Sequence, residues 1–206
     1  MSDLQQPRKF DADLVIVGAG AAGLMAAVWV AREAPGARIL LLDGARKPGA
    51  KILVAGGGRC NVTHEAVDER DFNGGSPNTI RRVLRAWPAS ATIAFFEQLG
   101  VALKREGTGK LFPVSDSARD VLDAFHRELA RLGVVLRARH RVESIEAVPG
   151  GFRLSGAWGT ARTRRVMLAT GGKSLPKSGS DGAGYALARA LGHSVPGPLL
   201  PDRKST

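Results

Sequence analysis

The period of the apolar positions changes several times along the chain, and each change marks an element. Residues Asp13 to Val17, "DLVIV", form a short β-branched run that stops at Gly18. An apolar helical stretch follows from Ala21 to about Glu33, which gives strand, glycine turn, helix. "PGA" then stops the helix, and "RILLLD" reads as a second buried strand ending at Asp43. The segment up to Asp43 therefore predicts one βαβ unit with a parallel strand pair, the building block of a doubly wound α/β sheet.

Further along, Pro88 opens a helix through Ile93, Phe96 and Leu99 that stops at Gly100. A second helix starts with Ser115 or Asp116 as N-cap and buries Val121, Leu122, Phe125, Leu129 and Leu132 on one face before Gly133. Between them "VALKREGTGKLFPV" reads as a hairpin turning at Gly107 to Gly109. From Val134 the period shortens: "VVLRA", "RVESIEAV", "GFRLSG" and "ARTRRVMLAT" predict short strands of a small antiparallel meander that returns to the main sheet at Val166 to Ala169. A helix near Gly182 to Leu191 closes the pattern, which contains no internal repeat or low-complexity tract.

Composition adds bounds. The chain has 206 residues, 44% of them apolar, which suffices for one core and is borderline for two domains. Its single cysteine forms no internal disulfide, and its first apolar run is far shorter than a membrane span or signal-peptide core, so cytoplasm is the expected compartment and no membrane partner is expected. Thirty Lys and Arg against 19 Asp and Glu give a net charge of +11, much of the excess lying between Arg127 and Arg165. A basic face attracts nucleic acid or acidic ligands. No aromatic stacking pattern accompanies the charge, however, so solvated helix and strand faces are the preferred reading and no nucleic-acid partner is expected.

The chemistry begins at "GAGAAG". Gly18, Gly20 and Gly23 match the dinucleotide fingerprint, in which the first glycine makes the tight turn, the second admits a pyrophosphate to the backbone and the third lets helix pack on strand. The motif follows a strand, opens a helix whose N-terminal amides favour phosphate, and precedes by about 20 residues an acid, Asp43, placed for a ribose diol. The fingerprint serves nicotinamide dehydrogenases and flavoproteins alike. Two other segments separate them: "ATGGKS", Ala169 to Ser174, where a buried strand breaks into a Thr-Gly-Gly turn, and "KILVAGGGRCNVTH", Lys51 to His64, where three glycines run into Arg59, Cys60 and Asn61.

Together "VIVGAGAAGLMAA", "GAKILVAGGGRCNVTH", "GKLFPVSDSARDVLDAF" and "LATGGKSLPKSGSDGAGYALARALGH" resemble a bacterial family of NAD(P)/FAD-dependent oxidoreductases, with names referring to bile-acid-type reduction and to aminoacetone oxidation. The resemblance runs from about Asp13 to Pro198. It implies an α/β fold: a Rossmann-like FAD-binding domain of glutathione-reductase type, with a central parallel sheet, flanking helices and a small antiparallel β-meander. It also implies a division into a flexible N-terminus (1–12), an FAD-binding domain (13–198) that forms the N-terminal part of a two-domain flavoprotein about twice this length, and a tail (199–206).

Carried over by position, the resemblance places Gly18, Gly20, Ala21, Ala22 and Gly23 on the FAD pyrophosphate and Asp43 on the ribose of the AMP half. Lys51 and the backbone of Gly56, Gly57, Gly58, Arg59, Cys60 and Asn61 would follow the flavin, Val142 would meet the adenine through its backbone, and Thr170 with Gly171 would close over the cofactor. The family reads Gly-Arg-Lys where this chain has Gly49, Ala50 and Lys51, and often serine at Ala55.

The implied activity is reduction of FAD by transiently bound NAD(P)H and hydride transfer to an unsaturated or carbonyl small molecule. An amine or aminoketone oxidase cycle, a simple nicotinamide dehydrogenase, an inactive FAD-domain fragment and a basic nucleic-acid-binding module are the alternatives. No residue declares itself catalytic. Arg59, as a positive charge near the flavin pyrimidine edge or a loop salt bridge, and Cys60, as a thiol without the second cysteine that disulfide chemistry needs, are the candidates. His64, His126, His140 and His193 lack metal-ligand spacing, so no metal is expected. Lys173, Ser174 and Lys177 read either as approaching phosphate or substrate or as a solvated loop, and Tyr185 reads as packing; the sequence is silent on oligomeric state.

Overall fold

The computed structural model describes residues 10–72, 75–173 and 179–195; the tail 199–206 and most of the segment 1–12 lie outside them. The chain divides into two compact units, residues 1–50 with 129–206, and residues 51–128.

The first unit is built on a six-stranded sheet. Its strands are β1 (Ala12–Val17), β2 (Ile39–Leu42), β6 (Val135–Arg137), β7 (Ser144–Val148), β8 (Gly151–Gly156) and β9 (Gly159–Leu168), in the order β6-β2-β1-β9-β8-β7. β1 pairs parallel with β2 from Leu14↔Ile39 to Val17↔Leu42, and parallel with β9 from Ala12↔Thr163 to Val17↔Leu168. Strand alternation sends Val15, Val17, Leu40 and Leu42 to one face, where they join Val142, Ile145, Leu154 and Leu187 of α6 (Ala183–Ala190) in one core cluster. Ile16 and Leu41 are fully buried on the opposite face. Helix α1 (Ala21–Glu33) contacts β1 and β2 and buries Gly23, Leu24, Ala27, Val28 and Ala31, the 3.6-residue stripe its sequence carries.

"VVLRA" departs from expectation. Its central residues form β6, which pairs parallel with β2 from Leu40↔Val135 to Leu42↔Arg137 and takes no part in a meander. The antiparallel pairs are β7 with β8 and β8 with β9, and they continue the main sheet without forming a separate layer. β9 does both jobs: Thr163 faces Phe152 of β8 on one side and Ala12 of β1 on the other.

The second unit holds α2 (Ala50–Val54), a 3-10 turn at Ala55–Gly58, β3 (Thr63–His64), a 3-10 turn at Glu69–Asp71, α3 (Pro77–Ala86), α4 (Ala89–Gln98), β4 (Leu103–Arg105), β5 (Lys110–Pro113) and most of α5 (Ala118–Arg131). β4 and β5 form the predicted hairpin, and β3 adds to the far side of β5. Its core is aromatic: Phe95 packs edge-on to Phe96 with ring centroids 5.2 Å apart, and Phe125 lies 6.0 and 5.6 Å from the two. Helix α5 starts two residues later than the nearer of its two expected caps. Asp116 sits at φ +54°, and its carboxylate is taken by Lys104, so it caps nothing. Helix α3, absent from the sequence reading, has Pro77 at its first turn and no buried residue.

Candidate functional site

The carboxyl ends of β1, β2 and β9 converge in the first unit, and the fingerprint lies there. Gly18, at φ +103°, donates its amide to Leu42 O at 2.7 Å, while Ala169 donates to Val17 O at 2.8 Å. The three glycines have three different surroundings. A Cβ at Gly18 would sit 2.5 Å from Ala169 O, and one at Gly23 only 1.8 Å from Gly18 O, so both are required by close backbone packing. A Cβ at Gly20 would meet no atom within 4 Å. Gly20 is the N-cap residue of α1 in extended conformation and makes no side-chain cap.

Ala21 and Ala22 are exposed. Among the described residues the amides of Gly20, Ala21, Ala22 and Gly23 have no acceptor; the first bond of the helix is Leu24 N–H to Gly20 O at 2.9 Å. Orphan amides at a helix N-terminus form an anion site, and Gly20 leaves the backbone bare beside them.

Asp43 follows β2 and anchors this turn. One carboxylate oxygen accepts Ala19 N–H at 2.6 Å and the other Ala45 N–H at 2.7 Å. Each oxygen keeps a second lone pair for a hydroxyl donor. The loop between β6 and β7 comes to the same place: His140 donates its amide to Asp43 O at 2.8 Å and Arg139 its amide to Ala45 O at 3.0 Å. Val142 is buried in the core cluster, so its side chain fixes the height of this loop. The Trp158 indole donates to Arg141 O at 2.6 Å and stacks on the His140 ring at 5.2 Å.

At the end of β9, Thr170 and Gly171 (φ +73°) turn the chain. Thr170 packs against the first turn of α6 so closely that a Cβ at Gly184 would lie 1.9 Å from its hydroxyl oxygen. Asp181 accepts Ala183 N–H at 3.0 Å and the Arg141 guanidinium at 2.6 Å; these bonds hold its carboxyl below the usual carboxylate range, the backbone amide contributing most. The Lys173 stem lies along Gly182, and the hydroxyl of the half-buried Tyr185 stands 3.1 Å from where a Gly172 Cβ would be. Ser174 and Lys177 fall outside the described residues.

Thus Gly18, Gly20, Ala21, Ala22, Gly23, Asp43, Val142, Thr170 and Gly171 belong to the first unit, and the structure gathers the fingerprint, Asp43 and the strand ends there. Lys51, Gly56, Gly57, Gly58, Arg59, Cys60 and Asn61 belong to the second. Lys51 is half-buried on α2, a helix absent from the sequence reading. Gly56, Gly57 and Gly58 are exposed at φ +57°, +71° and +90°, a run of positive φ that favours glycine; Arg59 returns to right-handed backbone and Cys60 stands at +61°. Cys60 closes the turn with its amide on Ala55 O at 2.9 Å.

Of the two readings of Arg59, the structure supplies the partners for the salt bridge. Its guanidinium lies 4.1 Å above the Phe112 ring, is hydrogen-bonded to Glu106 and is 3.7 Å from Asp116. The Phe112 edge in turn stands 2.7 Å from where a Gly56 Cβ would be. The Cys60 thiol is buried, and burial pushes its pKa up, so little thiolate forms near neutral pH.

The histidines are scattered as their spacing implies. His64 accepts the Ala66 N–H on Nδ1 at 3.2 Å and donates from Nε2 to Thr108 O at 2.7 Å, the half-buried His126 leaves Nε2 without a partner, and the His193 amide donates to Ala188 O. Among the described residues no three metal-ligating side chains cluster, and no helix is long and apolar enough to cross a membrane.

The chain is similar to known proteins. The chain is 39% identical over 186 residues to the 3-dehydro-bile acid delta(4,6)-reductase of Clostridium scindens, covering 90% of this chain and 45% of that one. It is 35% identical over 191 residues to the ribosomal RNA dihydrouridine synthase of Escherichia coli, covering 93% and 46%. It therefore spans about half the length of these curated relatives. Among solved structures, the open conformation of a flavocytochrome c3 fumarate reductase superposes with a TM-score of 0.58 at 18% identity, over 87% of this chain and 40% of that one, a likeness of fold. Residues 12–198 match the HI0933-like protein Rossmann domain, and the chain belongs to that family.

Proposed function

We propose that the chain is the FAD-binding part of an NAD(P)H-dependent flavoprotein reductase acting on a carbon–carbon double bond conjugated to a carbonyl. One observation carries the cofactor reading: the acceptor-free amides at the start of α1 stand beside the one fingerprint glycine whose missing Cβ leaves open space. With Asp43 at the end of the neighbouring strand, the residues fit a dinucleotide's pyrophosphate and ribose. Bound FAD supplies hydride transfer through its isoalloxazine ring, and the protein supplies position and electrostatics.

Several of these residues have a task in this reading. The amides of Gly20, Ala21, Ala22 and Gly23 neutralise phosphate charge with fixed donors, and the Asp43 carboxylate accepts from the ribose hydroxyls while its amide bonds hold it still. Thr170 and Gly171 flank the cofactor at the end of β9. The left-handed Gly56–Gly58 backbone, free of side chains, suits contact with a planar ring. Cys60 takes no redox part, being single, buried and protonated.

The choice of substrate class rests on the relatives' names, both of which describe saturation of a carbon–carbon double bond. A small unsaturated carbonyl compound is the leading substrate, with no nucleic acid involved. A pyrimidine within RNA is the second reading, favoured by the E. coli relative's name and the net charge of +11.

The test begins with the visible spectrum of the purified chain and identification of whatever it releases on denaturation. FAD is the expected ligand, and a folded, colourless chain that takes up no added FAD overturns the reading. Anaerobic titration with NADH and NADPH should then bleach the flavin. Bleaching by neither, with oxygen consumed in the presence of an amine, would put an oxidase in place of the reductase. RNA binding that falls steeply with salt would favour the second substrate.

A further inference from the structure

We propose that Arg141 is a positioning residue that fixes the distance between the two ends of the cofactor site, the adenosine end at Asp43 and Val142 and the turn at Thr170 and Gly171. The proposal rests on the flavoprotein reading above and names a residue to which that reading gives no role.

Arg141 lies next to Val142 in the loop between β6 and β7, and its backbone is held by Trp158, Gly156 and Gly44. Its carbonyl accepts the Trp158 indole N–H at 2.6 Å. The same oxygen lies 2.2 Å from where a Gly156 Cβ would be, so β8 presses directly on it. Its own Cβ stands 3.1 Å from the Cβ position of Gly44, the residue after Asp43. The backbone of Arg141 is thus clamped beside the acid and the loop that serve the adenosine half.

Its side chain leaves this clamp in the other direction. The guanidinium donates to one oxygen of Asp181 at 2.6 Å, and the other oxygen accepts Ala183 N–H at 3.0 Å at the start of α6. One residue later Gly184 is packed on the Thr170 hydroxyl, with no space for a methyl group between them. A shift of the first turn of α6 therefore moves Thr170. The ion pair is consequently a polar tie between two parts of the site, beside the core packing of Leu187 with Val142 and the packing of Thr170 on Gly18.

An exposed ion pair of this kind contributes little to global stability; the side chains are 52% and 35% exposed. Its effect should instead appear in ligands long enough to span both ends. In this reading FAD would reach both, whereas ADP would reach the adenosine end alone and FMN, lacking adenosine, would not reach that end.

The experiment measures affinities of the chain, stripped of ligand, for FAD directly and for ADP and FMN as competitors, with wild type, Arg141→Gln, Asp181→Asn, the double variant and Arg141→Lys. Expected is a loss of about five-fold for FAD in each single variant, the equivalent of ~1 kcal/mol. ADP and FMN should stay within about two-fold, the double variant should lose no more than either single, and Arg141→Lys should recover most of the loss. Equal losses for ADP and FAD would make Arg141 a local adenosine contact, and equal losses for all three ligands would make it a general structural residue. Either result, or unchanged FAD binding, overturns the proposal. Failure of wild type to bind FAD overturns the flavoprotein reading instead.

Discussion

Substituting Gly20 and Gly23 by alanine, one at a time, separates folding from cofactor binding at two positions three residues apart. Gly20 has φ −80° and ψ −172°, which alanine adopts freely, and its Cβ would meet nothing within 4 Å. Alanine is a poorer N-cap than glycine by roughly 0.5–1 kcal/mol, and a loss of unfolded-state freedom offsets this by about 0.4–1 kcal/mol. Gly20→Ala should therefore unfold within about 3 °C of wild type. In binding, the methyl group occupies the space through which phosphate reaches the amides. Loss of one hydrogen bond to a charged group costs ~1.5–3 kcal/mol, and FAD affinity should fall about 10- to 100-fold. Gly23→Ala is the reverse case. Its Cβ would lie 1.8 Å from the backbone oxygen of Gly18, where ordinary contact begins at 3.4 Å, so α1 or the turn must move. Overpacking against backbone costs roughly 3 kcal/mol or more, a fall in Tm of about 6–12 °C. Thermal unfolding of the ligand-free chains and fluorescence titration with FAD read both effects. Wild-type FAD affinity in Gly20→Ala, or equal destabilisation by the two substitutions, would refute the assignment of the phosphate to Gly20.

Three further outcomes are expected. Asp13 receives the Arg38 guanidinium and backbone amide, which hold its carboxyl below the usual value, so its stabilisation is complete above about pH 4 and is lost as pH falls through the depressed folded value; Asp13→Asn should lower Tm at pH 6 and converge with wild type in acid. In the second unit, Gly57→Ala at φ +71° meets no neighbour and should cost only the left-handed strain of ~1–2 kcal/mol, whereas Gly56→Ala also meets the Phe112 ring at 2.7 Å and should cost at least ~1 kcal/mol more by denaturant titration. Cys60, buried and protonated, should react with a thiol reagent at pH 7 at least about ten-fold more slowly in the native chain than in the unfolded one, and equal rates would contradict its burial.

How far the sequence discloses the fold depends on the range of the interactions that decide each element. β1, α1 and β2 are legible because strand, turn and helix are set by neighbours within the segment and the apolar period is uninterrupted. β6 is not: "VLR" is too short to carry a period that tells parallel from antiparallel, and only its pairing with β2, distant in the chain, makes it parallel. α3 escapes because its apolar residues Ile80, Val83 and Leu84 stand among arginines and bury nothing, although Ser76-Pro77 ahead of that spacing is a usable start signal. α2 and the turn after it escape because a glycine run predicts no helix. Asp116 carries the residue type of an N-cap, yet Lys104 claims its carboxylate through the hairpin, a partner no local pattern announces.

The same distinction applies within the candidate site, where one residue type answers different demands. In the sequence Gly18, Gly20, Gly23, Gly56 and Gly184 are alike. In the structure Gly18 has positive φ and no room, Gly23 and Gly184 have no room at ordinary helical geometry, and Gly56 has positive φ beneath an aromatic edge. Gly20 alone of these has both an ordinary backbone and open space, so nothing within the chain demands a glycine there. A glycine that folding does not require is explained by what approaches it. Four acceptor-free amides stand at the same helix start, and no neutral apolar ligand satisfies them, whereas a pyrophosphate does. The cofactor reading therefore rests less on the match to a glycine pattern than on the one glycine of that pattern for which the protein itself supplies no reason.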